Sequence, residues 1–280
     1  MHQRSRCLAS PQVRLPLLTL LVWVTVYTAK AADVNLPPAS SGDGDWIVTV
    51  GADFRAVTEY MGSDDFAIVP VPYFDMRRPG SPEGFHSPRD GFGVAAFDNG
   101  VFAVGPVGAL SWPRKQGYSS SLNVGFVYQV GAFVDYWALP WLRTRAEGLQ
   151  GFGAANGVTA NFAVDAVVPL SPALTWSGGP RARVVTSAAE IPYFSITPAQ
   201  SIASGLPVFT AGGGWQTLGA GTQLKYRVNP AWASYGFVEY DKLVGATASS
   251  PIVTVAGGSV NQWTLGVGLT YSFAMSGLPF

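Results

Sequence analysis

Between Asn261 and Phe273 the chain alternates without a break, with Trp263, Leu265, Val267, Leu269, Tyr271 and Phe273 at every second position and Thr264, Gly266, Gly268, Thr270 and Ser272 between them. A period of two is the period of a β-strand, whose successive side chains point to opposite faces. Length separates the kinds of strand. At ~3.3 Å per residue the segment spans roughly 43 Å, and tilted by ~45° it covers about 30 Å, the thickness of a bilayer's hydrocarbon core. Large apolar side chains on one face, small and polar ones on the other and aromatics at both ends describe a lipid-facing strand of a transmembrane β-barrel.

The pattern recurs upstream. Trp46, Val48, Val50, Ala52 and Phe54 alternate with Thr49, Gly51, Asp53 and Arg55. Similar runs cover 123–136, 158–168 and 223–228. Connections sort into tight turns, at Asp98-Asn99-Gly100, Ala138-Leu139-Pro140, Leu170-Ser171-Pro172 and Asn229-Pro230, and long segments, Ser111 to Ser121, Ala188 to Gly212 and Leu243 to Gly258. Short turns at one end and long loops at the other are the usual asymmetry of membrane barrels. Counted back from Phe273, that asymmetry leaves the first strand running the wrong way unless a short extra strand forms near Gly84 to Pro88. With it there are twelve strands, and an even number suits closure; with the Phe85 region as loop there are ten. The expected fold is therefore all-β, an antiparallel transmembrane β-barrel over residues 45–273, followed by an extension over 274–280.

The first residues read as an export signal: Arg4, Arg6 and Arg14, an apolar run from Leu15 to Ala29, then the small-residue site Ala29-Lys30-Ala31. Cleavage after Ala31 would remove residues 1–31 and leave a flexible lead-in over 32–44, rich in Pro, Ser and Gly. The one cysteine, Cys7, lies before the apolar run, so the exported chain holds neither a disulfide nor a thiol ligand. Its charge would be 13 basic against 17 acidic residues, or −4, and nothing points to a nucleic-acid partner. With 33 glycines, 13% aromatic and only 12% charged residues, the composition suits short turns and two-faced strands.

Inward positions carry Asp53, Arg55, Asp135, Arg143, Arg145, Glu147, Asp165, Arg181, Arg183, Lys225 and Arg227. A charge facing lipid costs ~2–4 kcal/mol at the midplane, so these belong to the lumen. They make either a water-filled, anion-leaning channel or an ion-paired interior that fills the barrel. His86 is the only histidine after the signal segment, which excludes sites that need two. Ser87 beside it would point to the opposite face, so no catalytic pair is expected and the histidine reads as a solvated residue at the rim. Glu59, Asp64 and Asp65 are too few oxygens for calcium, and Gly212-Gly213-Gly214 lacks the helix and Lys-Ser/Thr of a phosphate loop. No catalytic residue, metal or cofactor is expected. In the long segment 188–212, Ile196 to Ser204 forms a short helix capped by Thr197 before Pro198, and the loop folds either inward as a plug or outward.

Several short pieces, in order and spacing, resemble the MipA/OmpV family of Gram-negative outer-membrane proteins. They are Tyr60-Met61-Gly62-Ser63, Val69-Pro70-Val71-Pro72, Ala146-Glu147-Gly148, Tyr193-Phe194, Ser204-Gly205-Leu206-Pro207, Gly245 to Val253 and the closing Gly266 to Phe273. Two departures stand out: Ala246-Thr247-Ala248 is uncharged where members commonly carry acidic residues, and Ala274 to Phe280 continues past the usual end. The resemblance implies a barrel in the cell outer membrane, surrounded by outer-membrane lipid. It also implies a non-enzymatic scaffold that brings a periplasmic murein hydrolase to a murein synthase. An anion-leaning channel for small solutes is the alternative.

Overall fold

The structure, a computed structural model, describes residues 46–77, 84–115 and 119–276. The signal segment with its Ala31 site, the lead-in 32–44 and the end of the C-terminal extension lie outside the described residues.

One antiparallel sheet of twelve strands forms the barrel wall. The strands are β1 (Trp46–Thr58), β2 (Phe66–Arg77), β3 (Phe92–Gly93), β4 (Phe97–Asp98), β5 (Phe102–Ser111), β6 (Val127–Leu139), β7 (Leu142–Gly153), β8 (Val158–Pro169), β9 (Leu174–Val185), β10 (Gly214–Arg227), β11 (Trp232–Leu243) and β12 (Asn261–Met275). From β4 to β12 sequence neighbours are sheet neighbours, β3 also lies along β5, and β1, paired with β2, meets the last strand. β1 pairs with β12 from Trp46 opposite Met275 to Ala56 opposite Leu265, so the sheet curls into a nearly closed barrel whose ladder ends at β2 and β3. β12 runs two residues past Phe273, and Ala274 and Met275 belong to the ladder rather than to an extension.

Alternation decides which face meets what. On β12 the residues Trp263, Leu265, Val267, Leu269, Tyr271 and Phe273 are all exposed, Val267 to 65%, while Gln262 and Thr270 between them are buried. Phe54, Ile68, Val130, Leu218 and Leu224 continue the same apolar surface around the wall. In water this would be an apolar patch far larger than soluble proteins carry; as the face of a membrane barrel it meets lipid. No helix among the described residues is long and apolar enough to cross a membrane, so the crossing belongs to the strands.

Inside the wall, β12 is thinned by glycine to seat rings from β11. A Cβ at Gly268 would lie 2.3 Å from the Tyr235 ring, and one at Gly266 2.3 Å from the Phe237 ring. These two aromatics lie against the wall, where Tyr235 donates to Asp53 at 3.0 Å and Arg55 stacks over Phe237 at 5.3 Å.

Tight turns gather at the end that holds Trp46 and Met275. Asn99 Oδ1 accepts from the Val101 and Phe102 N–H groups, and Asn229 Oδ1 accepts from those of Ala231 and Trp232, which holds each turn without longer chain. Long connections gather at the opposite, loop end. They hold α1 (Ser187–Phe194), α2 (Pro198–Ser204), α3 (Gly245–Ser249) and α4 (Pro251–Thr254). In α2, Thr197 and Gln200 close a capping box, Pro198 opens the helix, and Gly205 ends it at φ 74°.

The expected strand at Gly84 to Pro88 is absent: residues 84–91 form no strand among the described residues. β2 ends at the turn end, and β4 also runs to the turn end before β5 leaves it, so the chain must climb between them. It climbs through the lumen, where Ser87 and Asp90 contact residues of the opposite wall. Charge explains why. A strand here would turn either Arg89 or Asp90 toward lipid, whichever face it chose, and Pro88 could not donate to the ladder. The missing ascent that the parity argument required exists, but inside the barrel. The short strands are instead β3 and β4, two pieces laid along β5.

Candidate functional site: a filled lumen beneath a loop cap

The climbing segment is tied to the wall by charge. Asp90 sits 2.8 Å from Arg143 and 3.7 Å from Arg145, and both arginines share Asp135, at 2.9 and 2.8 Å. Arg145 also meets Glu147 at 2.7 Å, and Glu147 accepts from the Gly91 N–H at 3.0 Å. Asp165, 3.6 Å from Arg143, extends the network to Arg181, which binds it at 2.5 Å and donates to Ser87 Oγ at 3.1 Å. Arg89 pairs with Asp241 and lies 3.9 Å from Glu239. Arg55, paired with Asp53, donates to the Pro88 carbonyl at 2.8 Å. Arg143 and Arg145 further cover the Phe85 and Phe133 rings. A void within this network, lined by Arg89, Asp90, Arg145 and Arg181 among others, holds about 20 Å³, room for a water and not for a solute.

Of the eleven charges expected in the lumen, Asp53, Arg55, Asp135, Arg143, Arg145, Glu147, Asp165 and Arg181 meet in these pairs. Arg183 stands apart, its Nε donating to Asn161 at 2.9 Å. Lys225 and Arg227 lie toward the turn end of β10, half-buried and exposed. Sequence reasoning missed Asp75, Arg89, Asp90, Glu239 and Asp241. The last two alternate with Val238 and Tyr240 on β11, a signal of the kind that marked the other strands; Arg89 and Asp90 directly follow the segment, Gly84 to Pro88, that was expected in the wall. With these acids included, the basic excess of the lumen disappears.

His86 is not at a solvated rim. It lies inside, 3.1 Å from Asp75 and edge-on to Tyr73, because the segment carrying it turns into the lumen. Ser87 Oγ goes to Arg181 instead, so the two neighbours share no hydrogen bond. Among the described residues no group of three His, Cys, Asp or Glu gathers as a metal site would, Glu59, Asp64 and Asp65 included.

At the loop end the long connections fold onto one another. One apolar cluster holds Leu122, Ile196, Leu206 and Ile252; a second holds Phe194, Ala211, Leu243 and Val253, and Phe209 packs against both. Polar ties close the seams. Gln262 accepts from Thr58 Oγ1 and the Gly62 N–H and donates to the Ser63 and Ser259 carbonyls, while Ser250 donates to Phe194 O at 2.7 Å. Arg114 donates to the carbonyls of Tyr193 and Leu122 and lies between the Tyr60 and Tyr193 rings. Burial pulls its guanidinium down to about 10, still charged at neutral pH. Glu190 is buried beneath α3, and desolvation pushes its carboxyl up although Thr247 and Gln216 donate to it. Between this cap and the ion-paired lumen lies a cavity of about 260 Å³.

A lipid-facing wall that satisfies its backbone strand to strand is the outer-membrane form of a membrane span. The family described as MltA-interacting protein MipA matches residues 50–273. The chain belongs to this family. No curated protein matches the sequence. Solved structures similar to this MipA-family barrel include an outer membrane channel from Pseudomonas putida F1, 10% identical over 85% of this chain and 98% of that one, with a TM-score of 0.45. The outer membrane channel DcaP of Acinetobacter baumannii is 9% identical over 83% and 99%, TM-score 0.37. The outer membrane protein OprG from Pseudomonas aeruginosa is 12% identical over 82% and 96%, TM-score 0.30. Identity and superposition are low throughout, and the fold rests on the strand ladder itself.

Proposed function

We propose that this MipA-family barrel is a non-conducting, non-enzymatic interaction protein of the cell outer membrane, a scaffold that associates with a murein hydrolase and its synthase. The observation that carries the reading is the occupied lumen: residues 84–91 cross it and are tied to β7 and β9 through Asp90–Arg143 and Arg181–Ser87 and to β1 and β11 through Pro88–Arg55 and Arg89–Asp241. A barrel built this way does not serve as a passive pore, and the basic excess that favoured an anion-leaning channel is cancelled once Asp75, Asp90, Glu239 and Asp241 are counted together with Arg89. The family description, MltA-interacting protein, supports a murein enzyme as partner. The turn end, which in these barrels faces the periplasm, is where such an enzyme would meet it.

The test is mild cross-linking in intact envelopes followed by purification of the barrel. Retention of a murein hydrolase together with a synthase is the expected result. A folded preparation that retains neither, and that passes a steady anion-preferring current in a planar bilayer, overturns the reading in favour of a channel.

A further inference from the structure

Most arginines that face the interior have a carboxylate. Arg55, Arg89, Arg143, Arg145 and Arg181 each form a salt bridge. Arg114 and Arg183 form none among the described residues: Arg114 is held by two carbonyls, and Arg183 donates to the neutral Asn161. Both line the same cavity of about 260 Å³, Arg183 from the wall near the end of β9 and Arg114 from the cap. Two guanidinium groups in a chamber otherwise supplied with matched charge form a cation-rich site that an anion would complete.

The remaining lining describes the rest of the ligand. Tyr60 and Tyr193 offer flat ring surface, whereas the Trp112 ring continues the outward face of β5 against Phe126 and the Phe194 ring is buried in the cap. The one acidic residue among the lining groups is Glu59, which is exposed on the β1–β2 loop. Glu190 lies close behind, but Gln216 and Thr247 occupy its carboxyl, and the nearby Glu147 and Asp241 are engaged by Arg145 and Arg89. Pro113 is exposed as well, so solvent reaches this side of the chamber. The volume falls just below the ~300–1,000 Å³ of pockets for drug-sized ligands, which fits a molecule with a single ring.

We propose that the chamber under the loop cap is a binding site for a small organic carboxylate with a flat apolar body, its carboxylate received by Arg183 and its body laid against Tyr60 and Tyr193. The site is independent of the murein partner and of the turn end, so either reading can fail without the other.

Titration calorimetry on the detergent-folded full barrel tests it, with phenylacetate as probe and the uncharged phenylacetamide as its match in shape. Saturable one-to-one binding of the acid is expected, with the amide at least ~10-fold weaker, as loss of a charge-assisted pair requires. Arg183→Gln should weaken the acid by a similar factor, Tyr193→Ala by several-fold, and Arg227→Gln, which lies outside the chamber, should leave it unchanged. Absence of saturable binding to folded wild type, equal binding of acid and amide, or an unchanged Arg183→Gln variant overturns the proposal. Should Arg183→Gln fail to fold, Tyr193→Ala decides: weaker binding supports the site, and unchanged binding overturns it.

Discussion

Asp90 and Arg143 meet at 2.8 Å inside the barrel, although Arg143 belongs to the wall and Asp90 to a segment that joins no strand. Arg143 is 1% exposed, so its charge is tolerable because Asp90 and Asp135 pair with it and Asp165 lies 3.6 Å away. The pair turns a connection between two strands into a filling of the lumen.

Asp90→Ala removes the carboxylate that Arg143 and Arg145 share and leaves two buried guanidinium groups short of charge. Breaking one partner of a buried pair costs ~3–5 kcal/mol. The midpoint of urea unfolding in detergent should fall accordingly, and Asp90→Asn, which keeps the shape, should fall less.

Deleting residues 84–90 should open the lumen. Wild-type protein in a planar bilayer is expected to stay silent, and the deletion to pass current through the charges then uncovered, Arg143, Arg145, Asp135 and Glu147 among them. Continued silence from a folded deletion would assign closure to the loop cap alone.

Gly268→Ala drives a Cβ to 2.3 Å from the Tyr235 ring and threatens the bond from Tyr235 to Asp53. Overpacking of this kind costs ~1–3 kcal/mol. Gly148→Ala, whose Cβ would meet nothing within 4 Å, is the matched control and should unfold like wild type.

Burial raises the Glu190 carboxyl above its ordinary value, so the folded cap binds that proton more tightly than the unfolded chain does. Protonation therefore favours the cap. Stability should decline as pH climbs from the unfolded carboxylate value, ~4.3, to the folded one, and stay level above it. Limited proteolysis of the 186–213 and 244–260 loops should be faster at pH 8 than at pH 5, and Glu190→Gln should flatten that difference.

The wall was legible because alternation is a local signal: Trp263 to Phe273 need no partner to show their period. The helix at Pro198–Ser204 was legible for the same reason, since Thr197, Pro198 and Gly205 act within a few residues. Residues 84–91 carry no period, and their meaning lies in partners far along the chain, Arg143, Arg181 and Asp241. Parity demanded an ascending pass there, but whether it ran in the wall or the lumen turned on which face Arg89 and Asp90 would present to lipid. The cap shows the same limit, because Phe194, Leu243 and Val253 come from separate loops and only the closed barrel brings them together. Arg183 was visible as an inward charge; that it lacked a carboxylate was not.

The pairing of β1 with β12 sets an order of events. The two strands are nearly the whole chain apart, while β1 and β2 are joined by a loop of a few residues. Closing a short loop is fast and costs little entropy, and closing the longest one comes last. One edge of β1 therefore waits, hydrogen-bonding groups unpaired, until the final strand arrives, and an unpaired edge recruits other chains. A nascent barrel of this design has to be escorted in transit, since it cannot protect its own seam until the last residues of the sheet have been delivered.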